Sequence, residues 1–246
     1  MRQAAKLVLR QLTAPVFKRV PLKRWPAVAG RIHDLSVPRG VVPNPKPEPR
    51  GPADINILLE LLERTAKVEG AVAECGVYRG RTLVAISIYL RQIHSPRRIY
   101  GFDSFQGFGD TIEHDLHLPA TEANPKLDEH GFADTSYALV QQKIALFGLN
   151  QTVLIPGFFE SSLEQCPESL FSFVHLDCDT YTAYTQCLRH FYPRMAKDGI
   201  IALDEYNDPH WPGCNQAVEE FLDGKPEKLE EICRDNHIKY YFRRRE

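Results

Sequence analysis

What this chain is missing narrows its function before any motif is read. No apolar run in its 246 residues is long enough to span a bilayer or to form the core of a secretion signal, so a soluble, cytoplasmic protein with no transmembrane segment is expected. Charge of one sign is also lacking: 30 Lys and Arg stand against 32 Asp and Glu, a formal net charge of −2 that gives no support to nucleic-acid binding. The six cysteines, at 75, 166, 178, 187, 214 and 233, form no CxxC pair or other metal-type spacing. Cys75, Cys178 and Cys187 lie in apolar or helical patterns where a free thiol behaves as a small hydrophobe, which suits a reducing compartment. A G-x-G-x-x-G turn is absent, which removes the phosphate seat of an NAD-dependent oxidoreductase. Internal repeats and low-complexity tracts are absent too.

What is present suits one catalytic-size α/β core with extensions: 43% of residues are hydrophobic and 25% charged. The charge is uneven. Residues 1–33 hold eight Lys and Arg and no acid, leaving 22 − 32 = −10 on the remainder. This arm, with Phe17 and Trp25 among its cations, would touch an acidic partner or a lipid surface, or serve as a packing arm that supports a homo-oligomer. From Pro38 to Pro52 prolines recur too often for a helix or a central strand, so the stretch reads as a connector. The expected division is an arm and connector over 1–52 and a main domain over 53–246.

The main domain alternates. Asp54 is expected to cap a helix with Ile55, Leu58, Leu61, Leu62 and Val68 on one face, covering the first strand. An apolar strand near 71–75 follows, then a helix striped with Leu83, Ile86, Leu90 and Ile93, which Pro96 stops. Further strands are expected at 98–102, 152–156, 171–176 and 200–204. Between them lie one helix bearing Tyr137, Val140, Ile144 and Phe147 and another bearing Tyr184, Leu188, Phe191 and Met195. Such alternation predicts a doubly wound, mostly parallel sheet with helices on both faces. The tail breaks the pattern: residues 228–233 and 238–242 read as two strands around a turn, an antiparallel hairpin. Residues 104–133 show no clear helix or strand, and so long a loop is expected to be a lid or substrate loop.

In such sheets ligands settle at the carboxyl ends of the strands, and Glu74, Asp103, Asp177 and Asp204 all fall there. Gly76 and Gly80 allow a tight turn and a close backbone approach, but the acid before them would repel phosphate. It suits a ligand with an amino group and ribose hydroxyls, and Asp103 can accept from a diol. Asp177, Asp179, Asp204 and Glu205 place hard oxygen donors on neighbouring strand ends, as Mg²⁺ requires. The bland alternative makes Asp177 a helix N-cap and leaves Asp179 and Glu205 solvated. Glu113-His114-Asp115-Leu116-His117 has the look of a zinc-site fragment, yet no second cluster is spaced to complete it, and it reads as a solvated loop. His175 reads as a hydrogen-bonded core histidine, and His210 and Trp211 are candidates for lining an acceptor pocket.

Six ordered motifs then converge. Glu74-Cys75-Gly76-Val77-Tyr78-Arg79-Gly80, Phe102-Asp103-Ser104-Phe105-Gln106-Gly107-Phe108, Gly157-Phe158-Phe159-Glu160, His175-Leu176-Asp177-Cys178-Asp179-Thr180-Tyr181, Phe191-Tyr192-Pro193-Arg194, and Asp204-Glu205-Tyr206 through Ala217-Val218-Glu219-Glu220-Phe221 resemble the macrocin O-methyltransferase family. The resemblance covers roughly residues 52–225. It implies a class I S-adenosylmethionine-dependent methyltransferase with a seven-stranded sheet and a C-terminal antiparallel hairpin; the first 50 residues fall outside it, and an N-terminal helical extension is expected there. It also implies methylation of a hydroxyl on a small polar acceptor, notably a sugar of a natural product, with help from Mg²⁺.

Carried over by position, Glu74, Gly76, Val77 and Tyr78 would surround the methionine part of the cofactor, with Gly80 completing the turn. Asp103 and Ser104 would meet the ribose, and Gly157 and Phe158 would border the adenine. Asp177, also bordering the cofactor, would hold the metal with Asp204 and Glu205, and Asp179 would be the base. Family members with a metal often carry Asp-Asp where Asp204-Glu205 stands. The competing expectation is a non-catalytic scaffold member in a biosynthetic complex, against which the retained acids argue.

Overall fold

The computed structural model describes residues 52–118, 124, 127–128, 130–234 and 236–246; the basic arm, the proline-rich connector and part of the 104–133 loop lie outside these residues. The chain folds as α1 (Pro52–Arg64), β1 (Ala71–Cys75), α2 (Arg81–Gln92), β2 (Ile99–Asp103), α3 (Glu113–Leu116), α4 (Tyr137–Phe147), β3 (Thr152–Pro156), α5 (Phe159–Ser162), β4 (Phe171–Leu176), α6 (Tyr181–Phe191), β5 (Met195–Leu203), α7 (Pro212–Leu222), β6 (Leu229–Arg234) and β7 (His237–Arg243). The seven strands form one sheet in the order β3-β2-β1-β4-β5-β7-β6. β1 to β5 are parallel and the terminal hairpin is antiparallel, as the sequence predicts.

Strands β1 and β4 are buried along their whole length, which is why they read as mostly apolar with no polar and apolar alternation. Their side chains still alternate between two cores. Val72 and Phe173 join Leu58, Leu62, Leu83, Ile86, Val140 and Phe147 on one face of the sheet. Ala73 and Val174 join Phe102, Tyr184, Leu188, Phe191 and Val218 on the other. There the Phe171 and Phe191 rings meet edge to face at 4.9 Å, and each buried large side chain contributes roughly 1.5–3 kcal/mol. Among the described residues no helix is long and apolar enough to cross a membrane.

Several local expectations are corrected. Asp54 lies inside the first turn of α1 and pairs with Lys239, and α1 packs mainly against β5, β6 and β7. Met195 opens β5 instead of closing α6, because a 3-10 turn at Tyr192–Arg194 ends the helix early. Within the 104–133 loop, a 3-10 turn (Gly109–Ile112) and α3 form; each is a single turn, too short to show a period.

Candidate active site

The strand order reverses between β1 and β4, and the cavity opens at their carboxyl ends, as doubly wound sheets require. It holds about 450 Å³ and is lined by Glu74, Asp103, Asp177, Asp179 and Asp204 from the strand ends and by Phe108, Phe132 and Trp211.

Gly76 makes the junction of β1 and β4. Its φ of +90° lies in the left-handed region, and a Cβ there would sit 1.6 Å from the Asp177 carbonyl oxygen, so only glycine lets the two strand ends approach. At Gly80, with φ +78°, the chain turns into α2. Between them Tyr78, also left-handed at φ 50°, donates its backbone N–H to Asp103 Oδ2 at 2.7 Å. Asp103 Oδ1 accepts the N–H of Phe105 at 2.6 Å, and the Ser104 hydroxyl donates to the Gly107 carbonyl at 2.6 Å. Asp103 and Ser104 therefore fix their own loop while lining the cavity, and burial pushes the Asp103 carboxyl up. Gly157, Phe158 and the buried Val77 line the same cavity.

Glu74 is 1% exposed. Its Oε1 faces His175 Nδ1 at 3.3 Å, while Oε2 has no hydrogen-bond donor among the described residues. Burial lifts its carboxyl to about 7 against the lowering pull of His175. A buried, unmet carboxylate oxygen on a cavity wall suits the amino group of an adenosylmethionine, and the open backbone at Gly76 suits its close approach. The site thus fits the cofactor that the sequence implies.

His175 is the core histidine expected, held between Glu74 and Asp204, whose Oδ1 lies 3.3 Å from Nε2. Burial opposes its charge, but Asp204 and Glu74 outweigh burial and lift the ring to about 9. Oxygens of Asp177, Asp204 and Glu205 all lie within 4.8 Å of one another, a donor set that fits a hard divalent cation. The bland alternative fails on three counts. The N-cap of α6 is Thr180, whose hydroxyl accepts from Ala183 N–H, not Asp177. Glu205 is fully buried and accepts from the Tyr184 hydroxyl at 2.8 Å. Asp179 is 8% exposed, with a left-handed φ of 63°. Its backbone is gripped from both sides, the N–H by Glu205 Oε2 at 3.4 Å and the carbonyl by the Cys214 thiol at 2.9 Å.

Two groups escaped sequence reasoning. Lys239 from β7 contacts Asp204 directly and Asp54 at 3.2 Å. Asp134 accepts from the Tyr78 hydroxyl at 2.6 Å and from the Arg79 guanidinium, clasping the segment that carries Phe132 against the β1 turn. Phe132 packs on Tyr78 at 5.2 Å and on Phe108 at 5.5 Å. His210 and Trp211 do line the cavity. The zinc-like fragment does not join the acidic cluster: His114 stacks on Tyr181, and Asp115 is buried, accepting Tyr181 N–H at 3.0 Å.

The family model of macrocin-O-methyltransferase matches residues 53–244. The chain is 31% identical over 182 residues to mycinamicin III 3''-O-methyltransferase of Micromonospora griseorubida, covering 72% of this chain and 69% of that one. It is 28% identical over 158 residues to 8-demethyl-8-(2,3-dimethoxy-alpha-L-rhamnosyl)-tetracenomycin-C 4'-O-methyltransferase of Streptomyces olivaceus, covering 63% of this chain and 58% of that one. In fold it is similar to the O-methyltransferase NovP, with a TM-score of 0.66 at 22% identity over 80% of this chain and 81% of that one. With its class I methyltransferase fold, its cavity at the strand ends and a family match across nearly all the described residues, the chain belongs to the macrocin-O-methyltransferase family and is an O-methyltransferase.

Proposed function

We propose that the chain passes the methyl group of S-adenosylmethionine to a hydroxyl of a small polar acceptor such as a sugar of a natural product, with Asp179 as the base and a divalent cation assisting. The observation that carries this reading is the unmet Glu74 carboxylate oxygen in the same cavity as the Asp177, Asp179 and Asp204 carboxylates.

The bound cofactor supplies an electrophilic methyl on a sulfonium, and a divalent cation supplies a Lewis acid that lowers the pKa of a hydroxyl. The residues do the rest. Glu74 would accept from the cofactor's amino group and Asp103 from its ribose hydroxyls, and Gly157 and Phe158 would border the adenine. Asp177, Asp204 and Glu205 would hold the cation. Asp179, its backbone fixed by Glu205 and Cys214, takes the proton of the acceptor hydroxyl as the carbon–sulfur bond breaks and the carbon–oxygen bond forms. Phe108, Phe132 and Trp211 exclude water from the acceptor side, and His210 and Asp208 offer it polar contacts. A scaffold role has less support, because burying so many acids costs stability that a scaffold has no reason to give up.

Calorimetric titration of S-adenosylmethionine with Mg²⁺ and again with chelator, followed by a screen of glycosylated acceptors for methylated product, tests the reading. Cofactor binding and product are expected; cofactor binding with no product from any hydroxyl acceptor would favour the scaffold, and no cofactor binding would end the proposal.

A further inference from the structure

Lys239 is 3% exposed, so its ammonium is cut off from bulk water. It is in direct contact with Asp204 Oδ1, and Asp54 Oδ1 lies 3.2 Å away. Burial penalises its charge, and Asp204 and then Asp54 outweigh the penalty, holding the group above its ordinary value. The same Asp204 oxygen lies 3.3 Å from His175 Nε2. A hard divalent ion on Asp177, Asp204 and Glu205 would draw on one carboxylate oxygen of each. An ammonium has only protons to offer, and it repels a metal ion held by the same carboxylate in a medium of low dielectric.

We propose that Lys239 is a resident cation of the acidic centre, beside His175, and that a divalent ion enters by exchange, with the ammonium withdrawing from Asp204 toward Asp54. The inference rests on the metal-assisted reading above. Asp54 lines the same cavity and gives the displaced charge a second seat within reach. With the ammonium in place the acids are compensated with no metal loaded, and the metal affinity of the set is lower than three carboxylates alone would have. Lys239 acts through Asp204, as a positioning residue.

The test is titration of Mn²⁺ into the full chain and into Lys239→Met, followed by the electron paramagnetic resonance of the free ion, with S-adenosylmethionine binding checked on each preparation. Lys239→Met is expected to bind Mn²⁺ about tenfold tighter or more, the effect of removing one competing charge. Equal or weaker binding by the folded variant overturns the exchange. Since Lys239→Met leaves Asp204 and Asp54 without their ammonium, Lys239→Gln, which keeps a donor and loses the charge, is titrated beside it with the same expectation. A crystal structure of the unaltered chain with Mn²⁺ decides independently of either variant's folding. The ammonium should stand beyond hydrogen-bond reach of Asp204 when the ion is bound, and an ion bound with that contact intact overturns the proposal. Mn²⁺ binding to none of the chains also overturns it, while cofactor binding in those samples keeps the transferase reading standing.

Discussion

Across the boundary of β1 and β4, Glu74 Oε1 and His175 Nδ1 face each other at 3.3 Å, and the far nitrogen of the same ring lies 3.3 Å from Asp204 Oδ1. One buried imidazole therefore joins the carboxylate proposed for the cofactor to a carboxylate proposed for the metal. Ligand binding on either side alters the field at the other.

Glu74→Gln keeps the shape and removes the charge. It should weaken S-adenosylmethionine binding roughly 10- to 100-fold, the worth of one charge-assisted hydrogen bond in a dry site. Calorimetry measures this directly, and unchanged affinity would remove Glu74 from the cofactor site.

Gly76→Ala and Gly157→Ala should differ in cost although both glycines have positive φ. The first drives a Cβ into the Asp177 carbonyl at 1.6 Å, whereas the second meets nothing closer than 3.5 Å. Loss of at least about 3 kcal/mol is expected for Gly76→Ala, and about 1–2 kcal/mol of backbone strain for Gly157→Ala. Urea unfolding of the two variants gives the comparison; equal losses would mean that the strand junction yields easily.

Asp179→Asn should lower kcat by about 100- to 10,000-fold with S-adenosylmethionine affinity held, as expected for loss of a general base. A near-normal rate would assign the proton transfer to another group.

Much of this centre was legible because strand ends are. Glu74, Asp103, Asp177 and Asp204 each follow an apolar run, and the rule that ligands bind where parallel strands end brings them together without coordinates. Lys239 was not legible. In sequence it is one polar position in the alternation of a terminal hairpin, and only the pairing of β7 with β5 carries it to Asp204. Asp54 misled for a related reason. A carboxylate near a helix start reads locally as a cap, and its partner is 185 positions away in the chain, at Lys239. The early start of β5 was hidden because Met195-Ala196-Lys197-Asp198-Gly199 lacks an apolar run, and its Lys197 and Asp198 are exposed.

Away from the cavity, Glu227 ties the chain's end to the turn before β5. It is 2% exposed and accepts from Arg244 at 2.8 Å, from the Arg245 N–H at 3.2 Å and from the Tyr192 hydroxyl at 2.7 Å. Burial raises its carboxyl, but Tyr192 and Arg244 outweigh burial and hold it at about 2, below the ordinary 4.5. A carboxyl held low in the fold stabilises above its ordinary value, and that contribution fades as pH falls through the folded value. Glu227→Gln should thus cost about 2 kcal/mol at neutral pH. In urea unfolding its deficit should shrink between pH 4.5 and about 2; a deficit constant across that window would assign the loss to packing.

The hairpin turn is tight: Arg234 pairs with His237, and Asn236 takes a left-handed φ of 65°. That turn fixes the register of β7 against β6, and the pairing of β7 with β5 fixes which of its side chains reach Asp204, since a slip of one residue exchanges the two faces of a strand. Slipped one way, Asp204 would meet Ile238, and the other way Tyr240, with no ammonium in either case. The pairing of a terminal hairpin, closed by an exposed turn at Asn236, thereby decides which side chain stands beside Asp204 in the cavity.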